Sequence, residues 1–281
     1  MQQPQLTTIL HAFILAITVI PTLSLANNFH TRLHQTTGNA FYTTDIVAEI
    51  QFGKKVAAKV LGRETLYENE QLTRYINLIG KTLALHSKRN ELEFHFAVLD
   101  KPIPNAYSTP GGYIFITKGA IDAANNEAEL AAVLAHEIAH ITERHIVRQL
   151  RILGSEKAHI AGLVRFLGAS GNTAQVALTQ SVDKAVSLLF ETGYNVEDEL
   201  DADAVAMILL AETGYDPLSL KHYLHRLAQQ TKDTDQQHQT HPSNTQRFTQ
   251  LNNIIKTERL HTLGYPQLRE RFIKNTTTLK R

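Results

Sequence analysis

Two histidines and a glutamate stand in the run His136-Glu137-Ile138-Ala139-His140, the pattern H-E-x-x-H. Residues four apart lie about 40° apart around an α-helix, so both imidazoles project from one face and can share a tetrahedral metal ion. Glu137 follows the first histidine and can reach a water on that metal without ligating it. A metal lowers the pKa of such a water, and Glu137 would take its proton as it attacks a carbonyl. The alternative is a partly buried surface helix with two structural histidines. The 281 residues include no cysteine, which excludes disulfides, thiolate zinc sites and cysteine nucleophiles. Imidazole and carboxylate are therefore the expected donors, and one Zn2+ per chain is the expected ion.

A third ligand is needed. His145 lies five residues past His140, about 140° around a continuous helix, which disfavours it as a ligand and leaves it a helix-surface residue or a support for a ligand. It also misses the spacing H-E-x-x-H-x-x-G-x-x-H, because position 143 is Glu and position 146 is Ile. Glu199 and Asp203 are four apart on a helix whose later turns are apolar, with Val205, Ile208, Leu209 and Leu210. Glu199 is the candidate ligand and Asp203 the candidate acceptor for the far N–H of a ligand histidine, which would fix its tautomer. Two acids on one stripe equally describe a solvated helix face.

These groups must be positioned by helices. Residues 126–150 read as one amphipathic helix, with Asn126 as cap, Glu129 as reciprocal partner, and Leu130, Val133, Leu134, Ile138 and Ile141 on its buried face. Residues 196–212 form a second, closed by Gly214. Helical periodicity also marks residues 45–61, 70–85, 158–167 and 173–190, and a last helical region begins near Pro242. Alternation at Leu92, Phe94, Phe96 and Val98 predicts a strand over 92–99, and β-branched and aromatic residues predict another over 113–117. Residues 101–112 read as turn and 231–241 as a polar loop. The fold class is α+β, mainly α, with a small sheet beside the H-E-x-x-H helix.

Four segments in this order resemble one family of zinc metalloproteases. That family includes the bacterial BepA, LoiP and HtpX proteases, the mitochondrial Oma-type proteases and the CAAX endoprotease. The resembling segments are N-A-Y-S-T-P-G-G-Y-I-F-I-T at 105–117, L-A-H-E-I-A-H at 134–140, E-L-D-A-D at 199–203, and His241-Pro242-Ser243 with Arg247. The resemblance implies a zincin fold, with Glu199 as third ligand and Asp203 supporting a histidine. It further implies that Gly112, Tyr113, Ile114 and Phe115 belong to an edge strand that pairs with extended substrate. His241 would approach the metal, to stabilise an oxyanion or to hold the site latent, and Arg247 would orient His241 or Glu199. Two features depart from relatives within the family: no membrane-spanning pair as in HtpX, and no cysteine for the lipid anchor of LoiP.

With 28 basic against 27 acidic side chains the net charge is +1, which gives no reason to expect nucleic acid as partner. Protein or peptide substrates are expected, with association at a membrane surface or with envelope proteins left open. Residues 9–20 are almost wholly apolar, and Ser24-Leu25-Ala26 supplies a small-residue cleavage pattern. Residues 1–26 thus read as an export signal, 27–44 as a lead-in and 45–281 as a single metalloprotease domain, placed in a periplasm. An uncleaved N-terminal anchor is the alternative location. The expected function is endoproteolysis of misfolded or envelope proteins, and the alternative is a metal-stabilised, chaperone-like binding module with a closed site.

Overall fold

A computed structural model describes residues 43–150, 172–230, 244–260 and 264–280. In chain order it contains α1 (Thr43–Arg63), α2 (Glu70–His86), β1 (His95–Leu99), β2 (Ala106–Thr109), β3 (Tyr113–Thr117), α3 (Lys118–Ala123), α4 (Glu127–Thr142) and α5 (His145–Gln149). Then follow α6 (Asn172–Ser187) with a π turn (Leu188–Thr192), α7 (Val196–Glu212), α8 (Leu218–Gln230), α9 (Asn244–Thr257) and α10 (Arg269–Thr276) with a 3-10 turn. The architecture is α+β and mainly helical, as the sequence pattern predicts.

Every residue of α4 is buried. Its alanine-rich run (A-A-V-L-A) lets neighbours approach on all sides, so it sits at the centre rather than on the surface. Asn126 Oδ1 accepts from Glu129 N at 2.9 Å, while Glu129 Oε2 accepts from Asn125 N at 2.7 Å. The reciprocal cap therefore closes one residue earlier than expected, on Asn125. The predicted helix over 126–150 is broken at its C-terminal end: Arg144 takes a left-handed conformation, φ 56°, and α5 starts afresh. Helix α7 runs over the residues predicted for it.

The sheet has the order β1-β3-β2, with β1 parallel and β2 antiparallel to β3. Side chains alternate between its faces. Phe96, Val98, Ile114 and Ile116 pack with α2 and α4 in the larger core. Leu99, Tyr107 and Phe115 pack with α1 and α6 in a smaller one. Gly111 and Gly112 turn β2 into β3 at φ 77° and 101°, where a Cβ on Gly112 would lie 2.4 Å from Glu93 O. Only glycine fits that approach.

This topology corrects one expectation. The strand containing Tyr113, Ile114 and Phe115 is central, not an edge: β1 and β2 take up its hydrogen bonds on both sides, and Gly112 O is already bonded to His95 N at 2.8 Å. Its backbone has no donors left for a substrate peptide. The edges are β1 and β2, and β2 falls in the stretch expected to be turn. The predicted helix over 158–167, residues 1–42 and the loop with His241 lie outside the described residues. No described helix is long and apolar enough to cross a membrane.

Candidate metal centre

Helices α4 and α7 pack directly on each other and present their polar stripes face to face. His136 Nε2 and His140 Nε2, from successive turns of α4, are 3.1 Å apart. Across from them on α7, the Glu199 carboxylate lies 3.5 Å from each nitrogen, Oε2 toward His136 and Oε1 toward His140. All three side chains are buried, and they form the cluster able to hold a metal ion found among the described residues. Donors about 2.0–2.1 Å from a tetrahedral ion are about 3.3–3.4 Å from one another, close to these separations. The donor set therefore fits zinc in spacing as well as in chemistry.

Electrostatics point the same way. Burial disfavours charge on His136, but hydrogen bonds to Asp203 and Glu199 outweigh it and carry its pKa up to about 9. The pocket draws positive charge. Burial pushes His140 down from the usual imidazole range, against a smaller opposing effect of Glu199.

Each ring is held from behind. His136 Nδ1 is 3.0 Å from Asp203 Oδ1. Arg247, buried on α9, clamps Asp203 with Nε and Nη2 at 2.8 and 2.6 Å and places Nη1 3.1 Å from Glu199 Oε2. Burial alone would raise the Asp203 pKa; Arg247 and His136 outweigh burial and lower it. Burial likewise works against the Arg247 charge, and Asp203 with Glu199 more than restores it. His140 Nδ1 meets His145 Nδ1 at 2.7 Å, and the Tyr194 ring stacks on His140 with centroids 3.9 Å apart and planes at 13°. Burial, followed by the nearby His140 and Arg148, lowers the His145 pKa to about 2. Glu137 is buried beside His136, and its charge bears on Tyr107, Tyr194 and Arg247.

The structure thus gathers His136, Glu137, His140, Glu199, Asp203 and Arg247 in one place, with Glu199 and Asp203 buried rather than on a solvated face. His145 is fully buried, so the helix-surface alternative fails and the supporting one remains. Sequence reasoning missed Tyr194. It stands between Gly193 and the α7 cap Asn195, and no spacing links it to the H-E-x-x-H run.

Comparison with known proteins agrees with this geometry. The chain is 28% identical over 194 residues to the beta-barrel assembly-enhancing protease of Escherichia coli, covering 68% of this chain and 39% of that protein. The protein of that name from Yersinia pestis is 27% identical over 226 residues, 78% of this chain and 46% of its own length. Mitochondrial metalloendopeptidase OMA1 of Schizosaccharomyces pombe is 28% identical over 149 residues, 53% of this chain and 42% of its own length. The chain thus spans less than half the length of these relatives. The profile of Peptidase family M48 matches residues 70–255, which include the whole cluster and most of the described fold. By that match, over more than half of its length, the chain belongs to Peptidase family M48.

Proposed function

We propose that this chain is a zinc-dependent endopeptidase. The observation that carries the reading is the convergence of two Nε2 atoms and one carboxylate, all buried, with a further buried carboxylate beside them on α4. In this reading His136, His140 and Glu199 hold one zinc ion per chain. Zinc held there supplies Lewis acidity toward the scissile carbonyl and toward the attacking water. Glu137 takes a proton from that water as its oxygen bonds to the carbonyl carbon. It returns the proton to the amide nitrogen as the C–N bond breaks, releasing an amine and a carboxylic acid. Asp203 fixes the tautomer of His136, and Arg247 keeps Asp203 and Glu199 ionised and oriented. His241, outside the described residues, is assigned to the substrate side of the site, as oxyanion partner or as latch.

The substrates proposed are misfolded or envelope proteins, and the place is a periplasm reached through an export signal at residues 1–26. Residues 45–281 form the catalytic domain. The name of the beta-barrel assembly-enhancing relatives and the apolar run near the N-terminus support this location. Glu137→Gln tests the mechanism. Casein hydrolysis should fall by about 10²–10⁴-fold, the range for loss of a general base, while zinc per chain stays at the wild-type value. A variant that cleaves at the wild-type rate would refute the assignment. A wild-type protein that binds zinc and cleaves nothing would favour the binding-module alternative.

A further inference from the structure

We infer that His145 is a positioning residue, holding His140 in the tautomer and orientation that present Nε2 to the metal. The inference rests on the reading of His140 as a ligand. Three observations converge on this role.

The first is hydrogen accounting. His140 Nε2 faces His136 Nε2 at 3.1 Å and Glu199 Oε1 at 3.5 Å, so a lone pair is required there for a metal. The ring hydrogen must then sit on Nδ1, 2.7 Å from His145 Nδ1. Two neutral imidazoles sharing one hydrogen bond need one donor and one acceptor. His145 Nδ1 must accept, which puts the His145 hydrogen on Nε2. The carboxylate of Asp198, on the first turn of α7, lies 3.7 Å from that atom, a favourable charge beyond hydrogen-bond distance. The hydrogens are consistent in one direction only: His140 donates from Nδ1 and His145 accepts.

The second is the backbone. On a continuous helix His145 would point about 140° away from His140. It reaches Nδ1 because α4 stops at Thr142 and Arg144 turns left-handed, φ 56° and ψ 37°. A non-glycine residue in that region is uncommon and persists when its surroundings over-determine it. Here Arg144 is buried with Nε 3.1 Å from Glu49 Oε2, and Glu49 is also held by Arg89 Nη2 at 2.9 Å. An ion-paired strap thus fixes the one turn that brings His145 back over the site.

The third is rotation. The stacked Tyr194 ring covers one face of His140, so the ring is confined to the plane in which Nδ1 meets His145.

Zinc affinity of the full chain, measured by competition against a chelating indicator, tests the inference. His145→Leu should bind zinc about 10–100-fold more weakly, the usual effect of losing a partner behind a ligand. His145→Gln, whose Oε1 can accept from His140 while its amide faces Asp198, should recover most of that loss. Wild-type affinity in His145→Leu, or equal losses in Leu and Gln variants that both fold, would overturn the inference. Should His145→Leu not fold, nitrogen-15 spectra of the zinc-loaded wild type decide. A hydrogen on His145 Nε2 and none on its Nδ1 is expected, and the reverse tautomer would overturn the inference. His140→Ala separates the two layers: full zinc binding there would sink the metal reading itself, whereas zinc lost there but kept in His145→Leu sinks only the role of His145.

Discussion

The two ends of α4 both bury carboxylates and differ in what surrounds them. At the N-terminal end Glu127 accepts from Tyr75 OH at 2.8 Å, Tyr215 OH at 2.7 Å and Arg271 Nε at 2.5 Å, with Arg271 Nη2 also on Oε1. Glu129 beside it pairs with Arg226 at 2.5 Å. Acidic groups in the first turn also suit the helix dipole. Donors there match acceptors, and the cluster ties α2, α8 and the C-terminal α10 to the central helix. At the other end the Nε2 atoms of His136 and His140 and the oxygens of Glu199 converge on one another from facing helices. Such a set gathers positive charge, as the raised pKa of His136 shows, and its spacing suits a metal ion. The contrast teaches that a buried acid is not itself a sign of chemistry; the balance of donors and acceptors around it is.

The contrast breaks first, and by the largest effect, at Glu199. Glu199→Gln preserves shape but removes the anionic donor. Zinc affinity should fall by more than the roughly 10–100-fold that loss of an outer partner costs. The circular dichroism of the folded chain should be unchanged. Zinc per chain after dialysis is the measurement. Retention of one equivalent would mean that another group completes the site.

At the other end the expected damage is to stability alone. Glu127→Ala leaves two buried tyrosine hydroxyls and one guanidinium group without their acceptor. Losing hydrogen bonds to a buried charge should cost about 2–4 kcal/mol, with the exposed part of Arg271 worth little of that. The thermal midpoint should drop by about 5–10 °C. Zinc affinity should stay within about threefold of wild type. A large loss of zinc would show that the two ends are coupled through α4 and would erase the distinction drawn between them.

How far the sequence foretold these ends differs as well. The metal end was legible because its signal is local: His136 and His140 are four apart, as are Glu199 and Asp203, and helical geometry turns each spacing into a shared face. Helix α7 was legible because Asn195 caps it, accepting from Asp198 N at 2.8 Å, and Gly214 takes φ 79° just past its end. The Glu127 cluster was not, because its partners stand 52, 88 and 144 residues away and meet only through tertiary packing. The break at Arg144 carries neither Gly nor Pro, and Ile146 and Val147 continue the apolar pattern beyond it. The central place of β3 depends on β2, whose four residues lie between Pro104 and Pro110, where turn residues dominate the local signal. A continuous helix turns His145 about 140° from His140, which leaves its role open between surface and support, and the helix does not continue that far.

The smallest effect concerns pH and is read at the N-terminal end. The hydroxyls of Tyr75 and Tyr215 titrate well above 10, first because they are buried and then because each bonds to the Glu127 carboxylate. For an acid whose folded pKa is raised, the unfolded chain loses its proton first as pH climbs. Stability contributed by the neutral phenol is therefore intact below pH 10 and declines above it. Between pH 10 and 11 each such phenol should cost about 1 kcal/mol of stability. Urea unfolding at the two pH values, compared between wild type and Tyr75→Phe, isolates one of them. The variant starts less stable, since Glu127 has lost a donor, but should lose about 1 kcal/mol less on going to pH 11. An equal loss in both proteins would mean that Tyr75 ionises in the folded state as it does in the unfolded one. Its bond to Glu127 would then be too weak to count as the satisfied partner on which the contrast between the two ends depends.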